Sequence, residues 1–192
     1  MNDKFAGSRS NRDQLALSDV GRDDSHVSSL TLSTELRDSI VDYLRRCLPH
    51  EGVGLLATSG TASSLTAVRF YPGQNMDRSP RRYTMDAAEV LAALASMKRA
   101  KTRLGVIVHS HPVTAPVPSR TDLVEANYPG VLSLIVGFSP RVELRAWRLV
   151  YDSHGLAVRF DPVPLIFDCG VGRSPLGLLS SAGTIEECAE IQ

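Results

Sequence analysis

The sequence predicts an α/β fold: a mixed, mostly antiparallel sheet flanked by helices. Three observations carry this expectation. Two segments place apolar residues at helical spacing, several short apolar runs are bounded by turn formers, and the order along the chain is helix, strands, helix, strands. That order suits helices packed on a sheet and does not match the regular alternation of a doubly wound sheet.

Each element has its own signal. Ser33 or Thr34 can cap a helix over Glu35–Cys47, where Leu36, Ile40, Tyr43, Leu44 and Cys47 share a face. Gly52–Thr58 and Thr66–Tyr71 read as strands around the turn-forming stretch Ser59–Ser64. Asp86 can start a second helix running to Arg99, with Val90, Leu91, Leu94 and Met97 on its buried face. A strand over Leu104–His109 and a helix from Ser119 to about Asn127 follow. Val131–Phe138, Glu143–Tyr151 and Leu156–Phe160 complete the strands.

Outside these elements the pattern weakens. Residues 1–28, rich in Asn, Asp, Arg and Ser, read as a disordered N-terminal tail. Residues 29–161 form the expected domain, and 162–192 an extension whose order the sequence leaves open. Pro162 and Pro164 break the strand pattern there. Leu165–Phe167 and Leu176–Leu179 are apolar enough to dock on the domain or on a second copy, so a homodimer stays open. Gly170-Val-Gly-Arg-Ser lacks the Lys and the spacing of a phosphate-binding loop.

Bulk composition narrows the function classes. At 192 residues one domain is the default, with room for a substantial core. Basic and acidic residues balance, 21 against 21, so nothing calls for nucleic acid or an anionic membrane as partner. Cys47, Cys169 and Cys188 are odd in number and far apart, neither a disulfide framework nor a Cys-based zinc site, which suits a reducing cytoplasm. No apolar run approaches the roughly eighteen residues of a membrane span, and the N-terminus lacks the apolar core of a secretory signal.

The chemistry concentrates in residues 109–122, His-Ser-His-Pro-Val-Thr-Ala-Pro-Val-Pro-Ser-Arg-Thr-Asp. In a strand, positions i and i+2 face the same way, so His109 and His111 can converge on one ion. The loop after Pro112 can bring Asp122 up as a third ligand. Two His, one carboxylate and a fourth position for water is how a hydrolytic zinc site is built. A lone His-x-His is equally met by two ordinary histidines, and Ser119-Arg-Thr-Asp122 is also a helix start with Ser119 as N-cap. The two readings of Asp122 are compatible, because a helix N-terminus holds it at a defined angle.

The combination is more specific than its parts. His-Ser-His-Pro, followed after a short loop by Ser-x-x-Asp, resembles the signature of the JAMM (MPN+, JAB1-like) zinc metalloproteases. That family also has a glutamate at the start of an apolar strand, which Glu51-Gly-Val-Gly-Leu-Leu-Ala57 matches. Asn75-x-x-x-Ser79-Pro80-x-x-Tyr83-x-x-Asp86 is similar to the small bacterial branch. The resemblance covers about residues 30–160. It implies a JAB/MPN, cytidine-deaminase-like fold, with zinc held by His109, His111 and Asp122. It further implies Glu51 as general acid/base and Ser119 as an oxyanion stabiliser. The implied activity is hydrolysis after the C-terminal glycine of a ubiquitin-like (β-grasp) protein, or release of an amino acid from a sulfur carrier.

The short span between Glu51 and His109 leaves little room for the insertions with which larger deubiquitinases grip a second ubiquitin. Val113–Pro118 also departs from their loop, against ubiquitin-chain specificity. His50 and His154 read as surface residues, Arg120 and Arg141 as surface charge, Trp147 and Tyr128 as packing. A scaffold of the same fold has no need for the full Glu51/His109/His111/Ser119/Asp122 set. A zinc hydrolase of a small-molecule amide stays open, although the His-x-Glu and Pro-Cys-x-x-Cys of deaminases are absent.

Overall fold

The computed structural model describes residues 27–61 and 63–169. The expected tail up to residue 26, and the stretch from residue 170 onward with Leu176–Leu179 and Cys188, lie outside them. The strands are β1 (Ser29–Ser33), β2 (Val53–Gly60), β3 (Ser64–Gly73), β4 (Arg103–His111), β5 (Leu132–Gly137), β6 (Glu143–Tyr151), β7 (Ala157–Val163) and β8 (Leu165–Asp168). The helices are α1 (Thr34–Arg46), α2 (Ala87–Arg99) and the short α3 (Arg120–Val124). All eight strands join one sheet in the order β7-β6-β5-β4-β2-β3-β1-β8. β1 runs parallel to both β3 and β8, and β4 parallel to β5; the remaining pairs are antiparallel. This is the mixed, mostly antiparallel sheet the sequence predicts.

α1 covers one face of the sheet. Ser33 caps it by accepting the Leu36 N–H at 3.2 Å, with Glu35 in the first turn and Arg45 and Arg46 in the last, as the helix dipole favours. Ile40 and Leu44 are fully buried among Leu30, Leu32, Leu56, Val106, Val108 and Leu134. Each such side chain contributes roughly 1.5–3 kcal/mol by leaving water.

α2 covers the other face. Asp86 accepts the N–H groups of Ala88 (2.9 Å) and Glu89 (3.1 Å) as its cap. Ala93 and Met97 are buried against Leu55, Ala57, Leu104 and Val131, with Val90 and Leu94 packed at the margin. Leu91, expected on the buried face, is 59% exposed. At about 100° per residue it projects roughly a quarter turn away from the stripe formed by residues 90, 94 and 97.

Strand β4 serves both cores because of one extra residue. Its pairing with β2 shifts at the Leu56/Ala57 step, where Leu56 meets Val106 but Ala57 meets Leu104. Gly105 is therefore skipped, and a Cβ there would lie 2.1 Å from Thr58 Oγ1. Leu104 joins the α2 core and Val106 the α1 core.

Two expectations need correction. The helix after Ser119 ends at Val124 rather than near Asn127; Val124 is exposed and no residue of α3 is buried, so nothing prolongs it. The strand pattern also does not break at Pro162. β7 continues through it to Val163, because β7 is an edge strand paired only with β6 and a missing N–H is tolerated there. β8 follows at once and pairs with β1, so Leu165–Phe167 docks on the domain itself. No helix among the described residues is long and apolar enough to cross a membrane.

Candidate metal centre

Alternation along β4 sends Val108 and Ser110 to one side and His109 and His111 to the other. His109, Ser110 and His111 are all buried. The chain then crosses the end of β5, and Gly137 permits this: a Cβ there would lie 2.8 Å from Pro116 Cδ. Trp147 on β6 fixes the crossing by donating its indole N–H to the Pro116 carbonyl at 2.8 Å. Trp147 is thus a buried packing residue with one polar anchor, as expected.

The loop ends at α3, where Ser119 is the N-cap. Its Oγ accepts the Asp122 N–H at 3.2 Å, and its own N–H donates to Asp122 Oδ2 at 2.6 Å. The helix-start reading of Ser-x-x-Asp holds, and it leaves the ligand reading of Asp122 open. The reciprocal capping bonds fix Asp122, and its carboxylate still faces the histidines. Asp122 Oδ1 lies 3.4 Å from His109 Nε2, and Oδ2 lies 3.5 Å from His111 Nε2. The two Nε2 atoms are 3.2 Å apart. One donor atom from each of the three residues falls within 4.8 Å of the others.

Hydrogen bonding fixes what those atoms offer. His111 Nδ1 sits 2.8 Å from the Ala115 carbonyl, which can only accept, so Nδ1 carries a proton. In neutral His111 the lone pair is then on Nε2, aimed at a carboxylate oxygen and at a second imidazole nitrogen. That lone pair and the Asp122 carboxylate repel unless a proton or a cation lies between them. Burial works against charge on His109 and lowers its pKa; Asp122 offsets only part of that. Burial also opposes a charged His111, but hydrogen bonds to Asp122 and Ala115 raise it overall. Burial raises Asp122, and the facing histidines overcome it and hold the carboxyl well below the usual carboxylate range. Two imidazoles and one carboxylate whose donor atoms all lie within 4.8 Å of one another fit a zinc-type ion.

Glu51 lies just before β2 and is 4% exposed. Its main chain is clamped: its N–H donates to the Ser79 carbonyl at 2.8 Å, and its carbonyl accepts from Asn75 Nδ2 at 2.9 Å. The neighbouring Gly52 donates its N–H to Ser110 Oγ at 2.8 Å and accepts the Ser110 N–H at 3.0 Å. The carboxylate itself is not clamped, and Oε2 has no hydrogen-bond partner among the described residues. Burial, opposed by His111 and reinforced by Asp122, pushes Glu51 up to about 7.

The five expected site residues thus fall in one region. His109, His111 and Asp122 converge, Ser119 holds Asp122, and Glu51 feels the charges of His111 and Asp122. His50 and His154 take no part in the cluster. Sequence reasoning missed Ser110, the middle residue of His-Ser-His, as the tie between β4 and Gly52. It noted the Asn75/Ser79/Tyr83/Asp86 pattern without its physical content. Asn75 and Ser79 hold Glu51, the Tyr83 ring stacks on His109 with centroids 4.7 Å apart, and Asp86 caps α2.

The sheet carries a buried His/His/Asp group that could hold a metal ion, with the raised carboxyl of Glu51 coupled to its charges, an arrangement of the metal-dependent hydrolase class. Comparison with known proteins agrees with that class. Residues 33–150 match a family described as prokaryotic homologs of the JAB domain. The chain belongs to this family. It is 36% identical over 142 residues to the CysO-cysteine peptidase of Mycobacterium tuberculosis, covering 73% of this chain and 93% of that protein. It is 34% identical over 125 residues to the desampylase of Haloferax volcanii, covering 62% and 88%. Among solved structures, a protein from Desulfitobacterium hafniense superposes with a TM-score of 0.64 at 26% identity, covering 73% of this chain and 93% of that one. One from Salinibacter ruber gives 0.55 at 25% identity, covering 76% and 95%.

Proposed function

We propose that this chain is a zinc metallopeptidase that hydrolyses the bond after the C-terminal glycine of a ubiquitin-like or sulfur-carrier protein, with Glu51 as general base. Its class is that of a metalloprotease-type enzyme, in keeping with the family and with relatives named desampylase and CysO-cysteine peptidase. The observation that carries the reading is the convergence of His109, His111 and Asp122 beside a buried glutamate whose Oε2 has no partner. A structural glutamate in that position would be expected to find a cation or a donor.

His109, His111 and Asp122 would hold the zinc ion, which would supply Lewis-acid polarisation of the scissile carbonyl and acidify a water. The chain's own residues do the rest. Glu51 takes one proton from the attacking water as the new C–O bond forms. It returns that proton to the amine nitrogen as the C–N bond breaks, so proton and electron pair both balance. A resting pKa near 7 suits a group that must both accept and donate. Ser119 Oγ accepts from Asp122 N, which leaves the hydroxyl hydrogen free to donate to the developing oxyanion.

The acyl side of the cut is a glycine in this reading, since a residue without Cβ lets an extended backbone pass close to the walls. The experiment is incubation of zinc-loaded protein with a small β-grasp protein ending in Gly-Gly-X, read by mass spectrometry. Cleavage after Gly-Gly is expected, slowed by orders of magnitude when the terminal glycine is replaced by leucine. Equal rates on both substrates would overturn the proposal.

A further inference from the structure

The two histidines of the cluster are held in different ways. A metal-binding histidine is ordinarily oriented by a hydrogen bond from its other ring nitrogen. His111 has one, from Nδ1 to the Ala115 carbonyl at 2.8 Å. His109 has none: its Nδ1 is buried and finds no partner among the described residues. Its cross-strand neighbours explain why. Val53 on β2 and Ile135 on β5 stand directly opposite it, both buried, and an aliphatic side chain offers no acceptor. Such neighbours hem the imidazole in, yet the torsion that turns the ring is broad and roughly two-fold. A half-turn about it would put a ring carbon where Nε2 now faces Asp122.

A different contact can set the ring plane. The Tyr83 ring stacks on the His109 imidazole, with centroids 4.7 Å apart and planes 30° apart. Tyr83 is itself fixed from both sides, since Asn75 donates to the Arg82 carbonyl at 3.0 Å and accepts the Thr84 N–H at 3.1 Å. The Met76 N–H donates to the Thr84 carbonyl at 2.8 Å, and a bridge between Asn75 and Met85 closes the same loop. We propose that Tyr83 is the positioning residue for His109: its ring, laid on the imidazole, keeps Nε2 turned toward Asp122 in place of the missing hydrogen bond. The proposal rests on the proposed function only for the ion that Nε2 would meet. The work falls to the ring and not to the hydroxyl. Phenylalanine should therefore replace Tyr83, and an aliphatic residue should not.

Tyr83→Phe, Tyr83→Leu and Tyr83→Ala in the full chain test this, the two aliphatic variants guarding against one that fails to fold. Zinc affinity is read by competition with a chromophoric chelator. Tyr83→Phe should bind zinc as tightly as the wild type. Tyr83→Leu and Tyr83→Ala should bind roughly 10–100-fold more weakly, the loss usual when a ligand's orienting partner is removed. The metal-free protein gives an independent reading through long-range proton–nitrogen NMR spectra of the imidazoles, with the His109 signals assigned by their loss in His109→Ala. One sharp set of His109 signals is expected in the wild type and in Tyr83→Phe, and broadened or doubled signals in the aliphatic variants. Wild-type zinc affinity in Tyr83→Leu or Tyr83→Ala, or an equal loss in Tyr83→Phe, would overturn the proposal. Should the wild type itself bind no zinc, the metal reading falls and the metal-free spectra decide on Tyr83 alone. A single sharp set of His109 signals in every variant then overturns its positioning role.

Discussion

Asn75 holds Glu51 by its main chain and leaves its carboxylate alone: Nδ2 donates to the Glu51 carbonyl oxygen at 2.9 Å. The same side chain donates to the Arg82 carbonyl at 3.0 Å and accepts the N–H groups of Asp77 and Thr84 at 3.0 and 3.1 Å. One amide therefore ties Glu51 to the loop carrying Tyr83, and Tyr83 stacks on His109. Glu51 and His109, the base and a metal ligand of the proposed mechanism, are thus linked through a residue with no chemical role in it.

Asn75→Ala should accordingly damage both stability and turnover. Four hydrogen bonds are lost at about 1 kcal/mol each, so a fall of roughly 2–4 kcal/mol in unfolding free energy is expected. Urea denaturation measures it, and kcat should drop more than KM rises. A variant as stable and as active as the wild type would contradict the clamp.

Metal content should follow the cluster. His109→Ala or Asp122→Ala should abolish near-stoichiometric zinc in elemental analysis, while Ser110→Ala should retain most of it. Because an ion that binds only the folded state adds about 4 kcal/mol at a thousandfold excess over Kd, chelation should lower the wild-type Tm by several degrees. The same chelator should leave the Tm of His109→Ala unmoved.

Glu51→Gln should keep zinc and fold yet lose turnover by roughly 10²–10⁴-fold, since an amide accepts no proton from water. It also has a pH signature in the metal-free protein. Glu51 is raised from 4.5 to about 7 in the fold, so its contribution is fully present below pH 4.5 and is lost as pH rises through 7. The shift corresponds to about 3 kcal/mol. Glu51→Gln should therefore match or trail the wild type at pH 4.5 and exceed it in stability at pH 8. Parallel stability curves across that range would rule out a strongly raised carboxyl.

Ser119→Ala removes a cap and, in the proposed mechanism, an oxyanion donor. The cap is worth about 1 kcal/mol, and one donor typically 10²–10³-fold in kcat. A loss of Tm with unchanged kcat would reduce Ser119 to its role at the start of α3. Ser119→Thr, which keeps the hydroxyl, should recover most of both.

Much of this was legible in the residues themselves. The His109/His111 spacing works because β4 is extended through both, and Ser119 and Asp122 declare their helix start by residue type. What stayed hidden depends on partners distant in sequence. Leu30 and Leu32 alternate with Ser and Thr over only five residues, too short a signal for a strand, and β1 exists because β3 and β8 flank it. Pro162 reads as a breaker until its strand is known to sit at an edge. The Asn75 clamp has no signature in spacing, because three of its four bonds go to backbone groups of a loop that folds back on it.

β1 is also the strand whose neighbours are made at the most widely separated moments of synthesis. Leu30 pairs with Leu65 on one side and Leu165 on the other, and Thr34 Oγ1 donates to the Asp168 carbonyl across 134 positions of chain. A nascent chain thus carries an open ladder edge on β1 until its last described strand leaves the ribosome. Closure of such distant contacts is slow, and His109, His111 and Asp122 are translated well before the sheet that frames them is whole. Premature termination between Asp122 and Leu165 would release a polypeptide that carries His109, His111 and Asp122 together with an unfinished, adhesive sheet edge.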